Sequence, residues 1–468
     1  MGTSSSESGD YLAKRTLKQG SAGWVLLAGL GVGYVISGDY SGWNFGLAEG
    51  GFGGLVIAGL IIAGMYLAMV LGMAEMSSAL PAAGGGYTFA RSALGPWGGF
   101  ATGTAILIEY SIAPAAIATF IGAYVESLGL FGITDGWWVY LVVYVLFIAI
   151  HLSGVGEALK VMFVITATAL AGLIIFAIAA IGRFDAANLT DIPVSDAAGA
   201  SAFLPFGYLG IWAAVPFAIW FFLAIEGVPL AAEEAKEPER NVPRGILAAM
   251  GVLLLTGSTV LVLAAGAGGA ELISGSGNPL VEALGESTMA KVVNYIGLAG
   301  LIASFFSIIY AYSRQLFALS RAGYLPKILS VTNSRKAPVL ALVVPGVIGF
   351  ALSLIGEGAT LLNMAVFGAA LSYVLMMVSH IVLRIRRPDM ARPYRTPGGI
   401  VTTSFALVVA ALSVVATFLV DSVAAAWCLA VFAAFMVYFA VYSRHHVVAN
   451  SPDEEFAALA AAEEDLER

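Results

Sequence analysis

Cysteine, histidine and charge are scarce in this chain of 468 residues. There is one cysteine, Cys428, there are four histidines, and charged residues make up 11% of the sequence. A single cysteine excludes a disulfide within the chain and a metal site built from several thiolates. The scattered histidines form no metal cluster and no nucleophile and base pair, although composition leaves a serine and aspartate site open. We therefore expect neither an enzyme nor a bound metal or other cofactor.

Apolar residues dominate what remains. They make up 59% of the sequence, which leaves too little polar surface to cover one soluble core. The chain is therefore predicted to be an all-α membrane protein. A helix needs about 20 apolar residues to cross hydrocarbon. Twelve such runs are found, at 22–46, 53–80, 97–125, 137–155, 158–182, 205–231, 245–266, 292–321, 338–356, 360–384, 400–420 and 424–443.

The positions of Lys and Arg predict that both termini are cytoplasmic. With twelve spans and the N-terminus inside, all 22 Lys and Arg residues except Arg183 and Lys291 fall on the inner side, as the positive-inside rule requires. Residues 1–21 are polar and basic and lack the apolar stretch of a signal peptide. Residues 444–468 form an acidic tail, which is expected to be a solvated cytoplasmic segment.

Two of the twelve runs contain features that oppose a regular helix. The first has four glycines between 29 and 38, and each glycine lowers helix stability by about 1 kcal/mol relative to alanine. The sixth contains a lone carboxylate, Glu226, next to Gly227. Paired interruptions five helices apart indicate inverted repeats around a gated site, which they fit better than the continuous pore of a channel. Close helix packing is the alternative explanation for the glycines.

Three separated segments resemble the amino acid, polyamine and organocation (APC) transporter superfamily. They are AEMSSALPAAGGGYTFAR at 74–91, AEEAKEPERNVPR at 232–244 and SRQLFALSRAGYLP at 313–326. The resemblance extends over nearly the whole chain. Within the superfamily, GVGYVISGDYSGWNFGL at 31–47 and LIEYSIAPAAIA at 107–118 are most similar to bacterial ethanolamine permeases.

The resemblance implies a fold and a location. Two inverted five-helix repeats, at 22–182 and 205–384, would be followed by helices 11 and 12 at 400–443, in the cytoplasmic (inner) membrane of a bacterium. Helices one and six would be discontinuous at the substrate site. Alanine occupies position 224, where the family often has glycine, so the second interruption can be shorter or shifted. The residues at these interruptions would be Gly31, Val32 and Gly33, and Ala224, Ile225, Glu226 and Gly227.

Glu109, deep in the third run, adds a second intramembrane carboxylate opposite Glu226. Two carboxylates around one cavity need a cation or protons as compensation. A substrate with an ammonium group and no carboxylate meets that need, and ethanolamine is such a substrate. A zwitterionic or cationic amino acid, or another small amine, is the alternative. A further alternative is that Glu109 is a protonated structural residue bonded to Tyr110 or Tyr373.

The resemblance and the chemistry assign roles to individual residues. We expect Glu109 to accept the ammonium group, Trp220 to cap the cation with its ring, and the backbone of Gly31–Gly33 to bind the hydroxyl. Packing alone is the alternative role for Trp220. Ile308 stands where some family members place a pocket aromatic, and Phe305, one turn away, can take over that aromatic role.

Coupling is expected to involve a proton. Glu226 corresponds to a family position linked to the inner gate and to protonation, and Tyr373 to a tyrosine that joins it. Asp39, about two turns beyond the predicted first interruption, is expected at the outer gate. Proton symport is the first expectation. Entry of a cation driven by membrane potential, at about 2.3 kcal/mol per charge per 100 mV, is the alternative; sodium use stays open because Ser304 and Ser307 offer oxygens.

Overall fold

The computed structural model describes residues 22–81, 84–129 and 136–447. The predicted N-terminal segment 1–21 and the tail from 448 onward lie outside these residues. In the described part of the chain, regular structure is helical and no strand forms. Extended backbone pairs only at isolated bridges, such as that between Ala22 and Ala235.

Twelve apolar spans lie within the described residues and build the bundle. They are α1 (Trp24–Val35), α2 (Phe45–Ala79), α3 (Gly86–Ser127), α4 (Trp137–Leu152), α5 (Val155–Ile181), α6 (segments Gly207–Ala213 and Val215–Trp220), α7 (Pro238–Gly268), α8 (Thr288–Arg321), α9 (Val339–Ile355), α10 (Gly358–Arg386), α11 (Ile400–Val420) and α12 (Ser422–Val441). Among the described residues, nine spans are long and apolar enough to cross a membrane, and α1, α4 and α9 are shorter apolar helices. The predicted all-α architecture of twelve helices is confirmed.

Apolar side chains cover the outside of the bundle. Ile355 is 83% exposed, Val401 78% and Val441 73%, whereas many polar and charged side chains are buried. This distribution is unfavourable in water and favourable in hydrocarbon. The surface therefore agrees with a chain that crosses the membrane many times.

α2 and α3 begin earlier than their apolar runs suggest, because each continues past a kink at a glycine. α2 starts at Phe45, before position 53, and bends at Gly51, where φ is 67°. α3 starts at Gly86, before position 97, and bends at Gly95, where φ is 73°, immediately ahead of Pro96. Both φ values lie in the region that glycine adopts at least cost. The apolar run thus marks only part of each helix.

The first span is interrupted at Ile36, so the prediction of a break at Gly31–Gly33 is wrong in position. α1 is continuous through the glycines to Val35, and the N–H of Ile36 still donates to the carbonyl of Val32 at 2.8 Å. A separate helical turn, Ser37–Tyr40, follows.

Gly31 and Gly33 allow neighbouring helices to approach α1 closely. A Cβ atom on Gly31 would lie 2.8 Å from the side chain of Val228. A Cβ atom on Gly33 would lie 3.0 Å from the hydroxyl of Thr166 and 3.1 Å from that of Ser307. The packing explanation for these glycines therefore applies.

The sixth span is interrupted by a turn at 221–224. Its α-helical part ends at Trp220, and a 3₁₀ helix, Ile225–Glu234, continues the span. Ala224 ends the turn in the left-handed conformation, with φ 77° and ψ 4°. The interruption therefore begins ahead of the predicted stretch Ala224–Gly227 and includes its first residue.

The two interruptions touch each other. A Cβ atom on Gly38 would collide with the carbonyl oxygen of Trp220, and the indole N–H of Trp220 donates to the carbonyl of Ser41 at 3.0 Å. In addition, α1 packs against α7 and α8, and α3 packs along α10. These contacts join the predicted repeats 22–182 and 205–384 in one core, while the repeat boundaries themselves remain a prediction.

The left-handed conformation of Ala224 yields a stability test. The left-handed region costs a residue with a Cβ atom roughly 1–2 kcal/mol, so Ala224→Gly should raise the thermal unfolding midpoint of the purified protein. The matched control is Ala218→Gly, in the helical part of α6, which should lower stability by about 1 kcal/mol. Equal losses in the two variants would contradict the strain at position 224.

Candidate substrate site

Glu226 lies at the start of the 3₁₀ helix that follows α6 and is 2% exposed. Its carboxylate accepts hydrogen bonds from Tyr110 on α3 at 2.9 Å and from Tyr373 on α10 at 3.0 Å. The hydroxyl of Tyr373 also hydrogen-bonds with that of Tyr66 on α2, at 2.9 Å. The expected contact between Tyr373 and Glu226 is therefore present, and the network joins four spans.

Glu109 lies beside Glu226 and has no donor of its own. Its side chain is fully buried, neither carboxyl oxygen has a hydrogen-bond partner, and the carboxyl group of Glu226 is the acid with which it interacts. Gly368 on α10 brings that helix close, since a Cβ atom there would lie 2.8 Å from the backbone nitrogen of Glu109. Two adjacent buried carboxyl groups either share a proton or bind a cation.

The two tyrosines proposed as structural partners of Glu109 serve Glu226 instead. Tyr110 and Tyr373 each donate to a different oxygen of Glu226. In this arrangement neither stabilises a protonated Glu109. The structural alternative for Glu109 therefore lacks the hydrogen bond on which it depends.

Trp220 is packed at the junction of the two interruptions and is 2% exposed. Its N–H bonds to Ser41 at 3.0 Å, and its ring meets the ring of Phe120 edge to face, with centroids 6.1 Å apart. Gly42, with φ 97°, leaves room for the indole. These contacts are those of the packing alternative, and the cation-capping role remains a prediction.

Phe305 packs against α4 in this structure, and its aromatic role at the site remains a prediction. Its ring packs edge to face on Tyr144 of α4, with centroids 4.8 Å apart, and near Phe147, at 5.9 Å. Ile308 is buried and lies one helical turn beyond Ser304, which contacts α1. Because residues four apart share a helix face, Ile308 is on the side of α8 that faces α1, whereas the ring of Phe305 packs on α4.

Tyr34 is a candidate site residue that sequence reasoning missed. Its hydroxyl is buried and has no hydrogen-bond partner. A Cβ atom on Gly227 would lie 3.0 Å from the ring of Tyr34 and 3.1 Å from the hydroxyl of Tyr110, so the ring adjoins the segment of Glu226. The available signal was its place directly after Gly33. Since Gly31–Gly33 are enclosed in α1, Tyr34 replaces their backbone as the candidate partner for a substrate hydroxyl.

The oxygens considered for sodium are engaged in this structure. The hydroxyl of Ser304 donates to the carbonyl of Tyr34 at 2.5 Å and lies 2.8 Å from the hydroxyl of Ser37. The hydroxyl of Ser307 donates to the carbonyl of Ala303 at 2.8 Å. The hydroxyl of Ser304 therefore joins α8 to the segment around the interruption of α1. The hydroxyl of Ser307 bonds within α8.

Comparison with known proteins identifies the family. Residues 23–442 match the family described as amino acid permease. The chain belongs to the amino acid permease family. An uncharacterized transporter of Rhizobium meliloti is 32% identical over 77% of this chain and 78% of its own length. A methylthioribose transporter of Bacillus subtilis is 29% identical over 79% of this chain and 82% of its own length. A branched-chain amino acid permease of Lactococcus lactis is 26% identical over 76% of this chain and 80% of its own length.

Family and structure together make this permease a multi-pass membrane transporter of small organic molecules, as the resemblance to the APC superfamily implied. The carboxyl pair, the tyrosines around it and the two interrupted spans form the candidate substrate site.

One face of the permease, which we call the Asn44 face, is closed over the carboxyl pair. The side-chain amide of Asn44 donates to the carbonyls of Ile273 at 2.7 Å and Ser276 at 2.9 Å, and Ser41 donates to Gly277 at 2.8 Å. These bonds attach the segment after α1 to the α7–α8 connection. In the predicted topology this face is extracellular.

The opposite face, which we call the Ala22 face, is closed by backbone pairing and a buried ion pair. Ala22 donates to the carbonyl of Glu234 at 3.0 Å and accepts from Lys236 at 2.8 Å. The guanidinium of Arg314 on α8 binds the carboxylate of Glu234 at 2.8 Å, and both side chains are at least nine-tenths buried. The permease is thus closed on both faces.

Glu75 near the end of α2 forms a second buried ionic cluster. Its carboxylate binds both Arg384, with an Nε distance of 2.9 Å, and Arg392, at 3.0 Å. It also accepts from the backbone of Thr396 at 2.7 Å and lies 3.3 Å from the ring of His380. This cluster fixes α2 to α10 and to the α10–α11 connection.

The contact between the interruptions predicts a steric effect. Gly38→Ala should lower the thermal unfolding midpoint of the purified permease, because the added methyl meets the backbone carbonyl of Trp220. A backbone carbonyl cannot rotate away as a side chain can. Overpacking of this kind costs about 1–3 kcal/mol. In the control Gly251→Ala, on α7, the methyl has no atom within 4 Å, so it should be neutral or stabilising. Tolerance of alanine at both positions would refute the close contact.

The buried ion pair predicts a non-additive effect. Arg314→Met leaves the carboxylate of Glu234 buried without a cation and should cost about 3–5 kcal/mol of stability. The double variant Arg314→Met/Glu234→Gln removes that charge and should recover much of the loss, measured as the thermal midpoint of purified protein. A double variant as unstable as the single one would show that the charges are not coupled.

Proposed function

We propose that the permease imports a small organic amine, most suitably ethanolamine, across the cytoplasmic membrane of a bacterium by alternating access. The observation that supports this proposal is the carboxyl group of Glu109, which is fully buried beside Glu226 and has no hydrogen-bond donor. The part of the chain that the structure describes provides no cation to this pair. A cationic substrate supplies the missing compensation.

The charge balance favours an ammonium ion over a zwitterion. If the pair of Glu109 and Glu226 holds one proton, its net charge is −1, and one ammonium group brings it to zero. The carboxylate of an amino acid would add a negative charge beside the pair and would need its own donors. Like charges brought together in a dry site are repelled strongly.

The surrounding groups suit the rest of ethanolamine. The unpartnered hydroxyl of Tyr34 lies next to the segment that carries Glu226 and is a donor for the substrate hydroxyl. The ring of Trp220, after moving from its contact with Ser41, is the proposed cover over the cation. Asp39, Glu226 and Tyr373 are the proposed gating and coupling residues, with a proton or the membrane potential as the driving force.

A zwitterionic amino acid is the second candidate, because relatives include branched-chain amino acid permeases and an L-asparagine permease. Another relative is a methylthioribose transporter. Membership of the family is therefore compatible with several substrate classes. The carboxyl pair is the feature by which this chain favours an amine.

Binding to the purified permease tests the substrate. Radiolabelled ethanolamine should bind and be displaced by unlabelled ethanolamine, but not by L-alanine, L-leucine or L-asparagine. Glu109→Gln removes one charge and should weaken binding at least about 100-fold, as expected when one partner of a buried charge pair is neutralised. The matched control is Glu271→Gln, at an exposed position, which should bind as the unchanged permease does.

Three outcomes would reject the proposal. If L-leucine or L-asparagine displaces the bound radiolabel at concentrations at which unlabelled ethanolamine does not, the amino acid candidate is favoured. Unchanged ethanolamine affinity in Glu109→Gln would make the acid structural. Conductance across vesicles without substrate accumulation would instead indicate a channel.

A further inference from the structure

Asp39 is a second buried acid without a partner, separate from the carboxyl pair. It lies in the turn Ser37–Tyr40, is fully buried, and neither carboxyl oxygen has a hydrogen bond. The carboxyl group faces α7, where a Cβ atom on Gly257 would lie 3.6 Å from its Oδ1. Along the chain, Asp39 lies between the interruption at Ile36 and Asn44, and therefore toward the Asn44 face.

Asp39 differs from the other buried acids whose side chains the structure describes. Glu75 and Glu234 bind arginines, and Glu226 accepts from two tyrosines. Glu109 has at least the neighbouring carboxyl group of Glu226, with which it can share a proton. Among the described residues, neither a cation nor another acid lies beside Asp39, so these cannot compensate it.

The wall around Asp39 is apolar or engaged elsewhere. The ring of Phe221 adjoins Gly257 and stacks on Trp43, with centroids 5.5 Å apart. Thr256 on α7 faces the carboxyl group, but its hydroxyl donates to the carbonyl of Leu253 at 3.4 Å. One hydroxyl and one carboxyl group are far fewer oxygens than the six or more that hard divalent cations take.

The titratable neighbours of Asp39 are neutral tyrosines used in other bonds. Tyr40, in the same turn, donates to the carbonyl of Ala169 at 2.7 Å, and Tyr124 from α3 donates to the carbonyl of Tyr40 at 3.0 Å. α8 meets this turn through the hydroxyl of Ser304, and α6 through the backbone and ring of Phe221. None of these groups carries a charge that would keep an aspartate ionised.

We propose that Asp39 is a proton-binding site, occupied in this closed arrangement and distinct from the Glu109 and Glu226 pair. A neutral carboxylic acid is tolerated in an apolar pocket, whereas an unpaired carboxylate is not. Protonation of Asp39 in this arrangement does not depend on which substrate the permease carries. When the Asn44 face opens and water reaches the turn, the acid can ionise, so the proton is bound and released with the movement of this face.

The proton changes how stability depends on pH. In the unfolded chain an aspartate is ionised near neutral pH, so the folded permease holds one more proton at Asp39 and loses stability as pH rises. One such proton changes the unfolding equilibrium about tenfold per pH unit. Asp39→Asn keeps the shape of the protonated acid and removes this contribution.

The experiment compares the unchanged permease with Asp39→Asn, both purified in detergent without substrate. Thermal unfolding midpoints are measured from about pH 6 to about pH 9, and infrared spectra record the C=O band of protonated carboxyl groups. Relative to Asp39→Asn, the unchanged protein should lose stability more steeply with pH and should show an additional acid band at neutral pH. Asp196→Asn, at an exposed position, should behave as the unchanged protein. Sodium chloride should stabilise no more than the chloride of an organic cation.

Three results would overturn the proton site. The first is an Asp39→Asn variant with the same pH dependence and the same acid band as the unchanged protein. The second is a rise in midpoint with sodium that is absent in Asp39→Asn, which would make the site a cation site. The third applies if Asp39→Asn cannot be obtained folded. In the double variant Glu109→Gln/Glu226→Gln, a protonated Asp39 should still give a carboxylic acid band at neutral pH. Absence of that band would overturn the proton site.

Discussion

Carboxyl groups inside a bundle that lies in hydrocarbon must be compensated from within the protein, because lipid offers no hydrogen bonds. The buried acids of this permease are compensated in different ways. Glu75 and Glu234 each lie near the C-terminal end of a span and bind arginines, and Glu226 accepts from tyrosines. Glu109 and Asp39 have no donor at all. The bundle is thus built around acids whose balance has to come from something that enters it.

Interrupting two spans places these acids next to movable backbone. Gly38 touches the carbonyl of Trp220, and the indole of Trp220 reaches back to Ser41. A contact between backbones allows little slack, since neither partner can change rotamer. We therefore expect a displacement of the first interruption to displace the second.

The sequence predicted the features that depend on composition and spacing, and missed those that depend on orientation. The twelve spans and the contact between Tyr373 and Glu226 followed from apolar runs and family position. The first interruption was placed at Gly31–Gly33 because glycine content cannot distinguish a broken helix from one that its neighbours approach closely. The contacts of Phe305 with α4 could not be predicted, because sequence spacing does not show how α8 is rotated relative to its neighbours. The free hydroxyl of Tyr34 depends on which neighbours Glu226 recruits, and sequence alone does not show that.

The cluster at Glu75 also bears on the hydrogen bonds of Glu226. It joins α2 to α10, the two helices that carry Tyr66 and Tyr373, and these two hydroxyls lie 2.9 Å apart beside Glu226. If α2 and α10 stay joined when the permease changes conformation, Tyr66 and Tyr373 stay together. Any shift of the 3₁₀ segment relative to them then has to break the hydrogen bond between Tyr373 and Glu226.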